Sequence, residues 1–308
     1  MSDAPDLFEA ARDFPDPGAA GRYAQLVGLN EVKEILHKES LVRLNPKLLE
    51  EWSRKHHHKE IAAVGYFRDR PPLFVFAGDV GTGKTQLAET FGDRLATDTK
   101  LPIGLRKLTL NARGSGKVGE MTTLISSAFA QVEREARAMI KGGKRSGGIV
   151  LLIDEADALA QSRDLEQMHH EDRAGVDALI RGIDHIAQER LPVLVVACTN
   201  RLEALDPALL RRAAQTFTFM RPTAEQRAAV LTDALGGVGL SAKQIEQMAA
   251  ATGEQDGRTY GATYSDLTQR LVPLAVLDAF PDSPMEFTRL MELANALVPT
   301  APFGSPAR

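Results

Sequence analysis

The sequence predicts an α/β fold in which a parallel β-sheet is covered on both faces by helices and is followed by a small all-helical domain. Two observations carry the first part. Residues 149 to 153 and 193 to 198 are uninterrupted apolar runs of strand length, and longer segments of helical period separate such runs. The third observation carries the rest: beyond Arg221-Pro222 no strand-like run remains, and four capped helix starts follow.

Residues 1 to 21, rich in Asp, Pro, Ala and Gly and without a sustained apolar period, predict a flexible N-terminal tail or a weakly docked arm. The large α/β domain is expected over residues 22 to 221 and the small helical lid domain over residues 222 to 308. A helix is expected from about Asn30, and the polar stretch SRKHHHKE precedes Pro71-Pro72 and the first strong strand signal at residues 73 to 77. A helix from Lys84 and a strand near residues 105 to 110 come next. From about Met121 a helix sets Leu124, Ile125, Ala128, Phe129, Val132 and Ala136 on one face. In the lid domain, Thr223 with Gln226, Ser241 with Gln244, Thr263 with Asp266 and Ser283 with Glu286 have capping-box spacing. Pro284 stands where a first helical residue needs no N–H donor.

Composition narrows the function classes. With 37 Lys plus Arg against 41 Asp plus Glu, no whole-molecule positive field exists to hold nucleic acid. Cys198 is the only cysteine, so no internal disulfide forms and a reducing compartment fits. No apolar run has membrane-spanning length, and the start MSDAPDLFEA lacks the basic and apolar regions of a secretory signal. A cytoplasmic location is therefore expected.

The chemistry begins at FVFAGDVGTGKTQ. Gly78, Asp79, Val80, Gly81, Thr82, Gly83, Lys84 and Thr85, followed by Gln86, form a Gly-x-x-x-x-Gly-Lys-Thr string between a strand and a helix. A chain of this length would show that string by chance roughly once in a hundred. Its backbone N–H groups can close around phosphate oxygens, Lys84 can reach the β and γ phosphates of ATP, and the Thr85 hydroxyl can ligate Mg²⁺. The strand GIVLLIDEAD then delivers Asp154 and Glu155 at its C-terminal end, where ligands of parallel sheets bind. Asp154 suits the Mg²⁺ shell and Glu155 suits the water that attacks the γ-phosphate. A small-molecule kinase with a P-loop is the competing reading, but it needs no glutamate there.

The strand VLVVACTN and the following RLEALDPALLRRA resemble the second region of homology of AAA ATPases. That resemblance implies a sensor role for Asn200 and an arginine finger at Arg211, with Arg212 beside it, reaching a neighbouring subunit's nucleotide in a homohexameric ring. The family's usual second Arg is replaced here by Ala214. Val27, Gly28 and Leu29 resemble the segment that packs on adenine, and TYSDL resembles the start of the last lid helix. There Ser265 occupies the place where other branches carry a second sensor arginine. LNARGSGKVGEMTTL lies where the family carries its first pore loop. Lys117, Val118 and Met121 are the residues available to touch an extended client, without the usual aromatic. His169 and His170, like the run His56 to His58, are read as solvated or peptide-contacting residues, with metal binding the alternative.

HHEDRAGVDALIRGID, TNRLEALDPALLRRA and FMRPTAEQR together resemble bacterial relatives of the pachytene-checkpoint ATPase, over residues 27 to 277. That likeness implies a motor that opens a HORMA-domain protein and so switches off a bound nucleotidyltransferase in cyclic-nucleotide anti-phage signalling. Few residues precede Val27, so the ring is expected to hold its client directly. Three alternatives stand beside it: a generic protein unfoldase or disaggregase, a clamp-loader-like ATPase directed to nucleic acid, and a nucleotide-switched scaffold without turnover. No membrane partner is expected.

Overall fold

A computed structural model describes residues 7–68, 70–110, 120–160, 169–256 and 258–303. In chain order it opens with β1 (Ala10–Phe14), α1 (Pro17–Ala24), α2 (Asn30–Leu44), α3 (Lys47–His57) and α4 (Ala62–Arg68). It continues with β2 (Leu73–Gly78), α5 (Lys84–Thr99), β3 (Ile103–Thr109) and α6 (Glu120–Ala138), then a small hairpin of β4 (Ile140–Lys141) and β5 (Lys144–Arg145). Next come β6 (Gly148–Asp154), α7 (His169–Gln188), β7 (Val193–Thr199), α8 (Pro207–Leu210) and β8 (Ala213–Phe219). The remainder is helical: α9 (Ala224–Ala234), α10 (Ala242–Ala251), a π-helical stretch (Asp266–Leu271), α11 (Val272–Ala279) and α12 (Phe287–Ala296). Among the described residues no helix is long and apolar enough to cross a membrane.

Two compact units result, and the division is not a single cut near residue 221. One unit comprises the described parts of Met1–Tyr23, Glu31–Ala77 and Thr85–Thr218; the other comprises Ala24–Asn30, Gly78–Lys84 and Phe219–Arg308. The segment before α2 and the phosphate loop group with the helical region, where Gly28 lies against Gln226 and Tyr264 and the Gly81 carbonyl accepts from the Ser265 N–H.

The first unit is built on a six-stranded sheet of order β1-β3-β6-β7-β2-β8, in which β3, β6, β7 and β2 run parallel. Strands β6 and β7 are apolar on both faces because helices cover both. On one face Ile149, Leu151, Ile153, Val193 and Val195 pack with Ile125, Phe129 and Val132 of α6 and Leu179 and Ile183 of α7. The stripe expected on α6 is the buried one, with Leu124 partly buried beside it.

Of the segment expected over residues 1 to 21, residues 1 to 6 lie outside the described residues, and over Ala10–Phe14 the flexible tail is corrected to a docked strand. Ala10–Phe14 pairs antiparallel with β3, with Ala10 opposite Lys107 and Phe14 opposite Ile103. Only Phe14 of its five residues is buried, its ring lying against Gly92 of α5. An edge strand with one inward apolar residue shows no period to detect. Strand β8 also escaped the reading; its Phe217 contacts Phe76 edge-on with ring centroids 5.7 Å apart.

In the second unit, Leu231, Met248, Leu267, Leu271 and Leu290 form the core, and Val27 packs against it. Both Thr223–Gln226 and Ser241–Gln244 form reciprocal capping boxes. Thr263 and Asp266 also exchange hydrogen bonds, each donating its backbone N–H to the other's side chain. The helix expected from Ser283 is corrected: α12 starts at Phe287. Ser283 instead closes the turn after α11, donating both N–H (2.9 Å) and hydroxyl (3.2 Å) to the Ala279 carbonyl.

Candidate nucleotide site

The phosphate loop belongs to the second unit and is held mainly through its backbone. The Lys84 ammonium, almost fully buried, donates to the carbonyls of Gly78 (2.8 Å) and Asp79 (2.7 Å), so it lies across its own loop. Thr82 closes the turn through its hydroxyl to the Asp79 carbonyl at 2.7 Å. Gly81 has φ +76°, and a Cβ there would stand 2.6 Å from the Thr263 hydroxyl, so the position excludes side chains. Across the same contact, the Ser265 N–H donates to the Gly81 carbonyl at 3.1 Å. Ser265, in the second-sensor position, thus meets the loop through its backbone. The Asp79 carboxylate accepts from Arg221 Nε (2.8 Å) and from the Phe303 N–H (3.2 Å), while Val80 is exposed. Arg221 also lies over the Tyr260 ring, 5.1 Å from its centroid.

The expected adenine segment is in the same unit. Gly28 has φ +75°, and a Cβ on it would meet the Gln226 amide at 2.3 Å and the Tyr264 hydroxyl at 2.7 Å. Tyr264 donates to Gln226 Oε1, which also accepts the Thr223 N–H that caps α9. Leu29 is buried, and with Leu26 it faces Gly83 of the loop. Val27, Gly28, Leu29 and Gly81 to Lys84 are therefore neighbours in space, though about fifty residues apart in sequence.

The acidic turn belongs to the first unit. Asp154 Oδ1 accepts the Thr85 hydroxyl at 3.2 Å and the Glu155 N–H at 3.1 Å. Thr85 and Asp154 thus bring two hard oxygen donors together, a donor set that fits Mg²⁺. Glu155 adopts φ +54°, a left-handed conformation costing a non-glycine residue about 1–2 kcal/mol. Gln86 donates to the Arg22 carbonyl at 3.3 Å, which ties α5 to α1.

Two contributors to this turn gave no signal in the sequence. Lys107 reaches Glu89 at 2.9 Å, Asp154 Oδ2 at 3.5 Å and Glu9 at 3.7 Å. Burial alone would lower its pKa, but the Glu89 hydrogen bond and the three carboxylates outweigh burial and raise it. Asp157, buried just past Glu155, accepts the Thr199 hydroxyl (3.1 Å) and the Asn200 N–H (3.4 Å). It thereby fixes the end of β7 from which Asn200 projects.

Arg211 and Arg212 differ in situation. Arg212 makes a two-pronged pair with Asp184 of α7, at 2.7 and 2.9 Å, and donates to the Ala208 carbonyl. Arg211 is exposed at the end of α8, and no side-chain partner meets it among the described residues. Of the pore-loop residues, Lys117 and Val118 lie outside the described residues, and Met121 is partly buried against the sheet core. His56 and His57 are exposed and flank Trp52, with ring centroids 6.2 and 5.2 Å away. Among the described residues no group of three or more His, Cys, Asp or Glu could hold a metal ion.

Comparison with known proteins identifies the lineage. The family model described as "ATPase family associated with various cellular activities (AAA)" matches residues 74–221. CD-NTase-associated protein 6 of Escherichia coli strain MS 115-1 is 48% identical over 299 residues, covering 97% of this chain and 96% of that protein. A chain of the E. coli MS115-1 HORMA:CdnC:Trip13 complex superposes with TM-score 0.89 at 48% identity, covering 97% and 99% of the two chains. A Rhizobiales Trip13 structure gives TM-score 0.75 at 45% identity, covering 96% of this chain and all of that one (100%). Likeness of this degree along nearly the whole of each chain makes this protein a nucleotide-binding AAA ATPase, in the family of CD-NTase-associated protein 6.

Proposed function

We propose that this protein forms a cytoplasmic homohexameric ring that hydrolyses ATP with Mg²⁺ and uses the energy to open a HORMA-domain protein bound to a nucleotidyltransferase. The observation that carries this reading is the end-to-end similarity to the Trip13 chain of the HORMA:CdnC:Trip13 complex. Magnesium, when bound, neutralises phosphate charge, and Thr85 with Asp154 would hold it. Backbone N–H groups of residues 79 to 84 cradle the phosphates, with Lys84 turned from its loop carbonyls toward the β and γ oxygens. Gly28 and its neighbours Val27 and Leu29 receive the adenine. Glu155 orients the attacking water or takes its proton, and Asn200, braced through Asp157, polarises that water. Arg211 acts as the finger on the neighbouring subunit's nucleotide, because Arg212 is already committed to Asp184. Lys117, Val118 and Met121 are assigned to client contact.

Two experiments test this. With ATP present, Glu155→Gln protein used as bait should retain a HORMA-domain protein; recovery of nucleic acid or of unrelated unfolded proteins instead would replace the client assignment. Arg211→Ala should lower hydrolysis by about 10³ or more. Mixing it with Lys84→Ala should restore part of the activity, because such rings contain a complete shared site. Activity that stays absent at every mixing ratio would remove Arg211 from that role.

A further inference from the structure

At the end of the sheet opposite Asp154 and Asn200, arginines converge on the turns that enter the parallel strands. Arg43, at the end of α2, donates to the carbonyls of Arg70 (3.1 Å) and Ile186 (3.5 Å). Arg145, in the hairpin before β6, donates to the carbonyls of Arg43 and Arg190. These partners are neutral, and among the described residues neither guanidinium forms an ion pair. The Nε of Arg43 is buried with no hydrogen-bond partner. Burial, with the charge of Arg145 adding to it, pushes Arg43 down to about 10, and burial lowers Arg145 as well. Both guanidiniums are half-buried, and the groups they bond are carbonyls, which carry no formal charge.

These side chains line a cavity of about 150 Å³ together with Arg190, the apolar Leu49 and Phe67, and one acidic residue, Glu50. A cavity of about that volume accepts a benzene-sized group. Planar guanidinium forks at a cavity wall favour a carboxylate or phosphate, and the apolar lining favours a carboxylate carried next to one apolar side chain. Helices α3 and α4, which supply two walls, also expose Trp52 (44%) and Tyr66 (80%), a surface extending beyond what a small anion would cover. We propose that this pocket binds the end of a partner polypeptide, with its terminal carboxylate on Arg43 and Arg145 and its last apolar side chain in the cavity. The site is separate from the nucleotide chemistry and does not depend on the client assignment.

The test uses the full chain and two probes, acetyl-Gly-Ala-Phe with a free carboxylate and the same peptide as its terminal amide, titrated by ligand-observed NMR. The free acid should bind at least tenfold more tightly than the amide. Arg145→Ala should weaken the acid tenfold or more, and Leu49→Trp, which fills the cavity and leaves the arginines in place, should abolish binding. ATP hydrolysis by the Leu49→Trp protein should stay within twofold of the parent, which separates this outcome from a failure of the ATPase reading. If Arg145→Ala does not fold, Leu49→Trp decides the matter. Equal binding of acid and amide would overturn the proposal. So would inorganic phosphate competing as well as the peptide, or an altered ring size in Leu49→Trp, which would mean that a second copy covers the pocket.

Discussion

The phosphate loop and the acidic turn serve one nucleotide in the proposed reading, yet they are held by opposite means. Contacts of the loop fall largely on its own backbone: the Lys84 ammonium caps the carbonyls of residues 78 and 79, the Ser265 N–H reaches the Gly81 carbonyl, and Gly81, like Gly28 beside the loop, leaves no room for a Cβ. Side-chain charge and hydroxyls hold the turn, with Thr85 and Lys107 on Asp154, and Asp157 on Thr199 and Asn200. A region held through its backbone fails when atoms are added. One held through side chains fails when functional groups are removed.

The largest expected effect tests the turn. Glu155→Gln should leave ATP binding within a few-fold of the parent and cut turnover by about 10² to 10⁴, read from phosphate release and from titration with a fluorescent ATP analogue. Lys84→Ala should do the reverse, weakening that titration by about 10- to 100-fold through loss of a charge-assisted contact. Binding equal to the parent in Lys84→Ala would break the contrast between the two regions.

Next in size is Asp266, the carboxylate behind the loop. It is fully buried and gathers donors from Thr263, Thr300 and Arg270, and Thr263 is the residue that faces Gly81. Burial alone would raise its pKa, but those hydrogen bonds outweigh burial and hold it below the ordinary 3.8. A depressed carboxylate contributes stability that is present above its unfolded pKa and lost as pH falls through the folded one. Asp266→Asn should therefore cost about 1.5–3 kcal/mol near neutral pH. In denaturant melts its deficit should shrink below pH 3.8. A deficit unchanged at low pH would mean that shape, not charge, matters there.

The smallest effect sharpens the loop side. Gly81→Ala adds one carbon at φ +76°, 2.6 Å from the Thr263 hydroxyl. It should cost about 1–2 kcal/mol in stability, with nucleotide affinity several-fold weaker. Parent-like melting and binding would show that the lid gives way at this contact.

Much of the fold was legible because its signals are local. Residues 78 to 85 and the pair Asp154–Glu155 announce themselves within a few positions, and the two capping boxes at Thr223 and Ser241 form between residues three apart. What escaped the reading depends on distant partners. Nothing near Arg211 and Arg212 tells which one is tied down, since Asp184 lies a helix away. Lys107 looks like any strand lysine until Glu89 and Asp154 close around it. The Ser283-x-x-Glu286 spacing fits a cap, but the Ala279 carbonyl captures Ser283 first. β1 carries one buried residue, too little for a pattern.

Pairing of β1 with β3 also sets how the chain can be trimmed. Deleting everything before Asp16 would bare a row of amide and carbonyl groups along β3, a template onto which another molecule could add a strand. Glu9 would go as well, leaving Lys107 with fewer anions. A fusion joined upstream of Ala10 keeps that border sealed, whereas a shortened chain would be prone to clump through it.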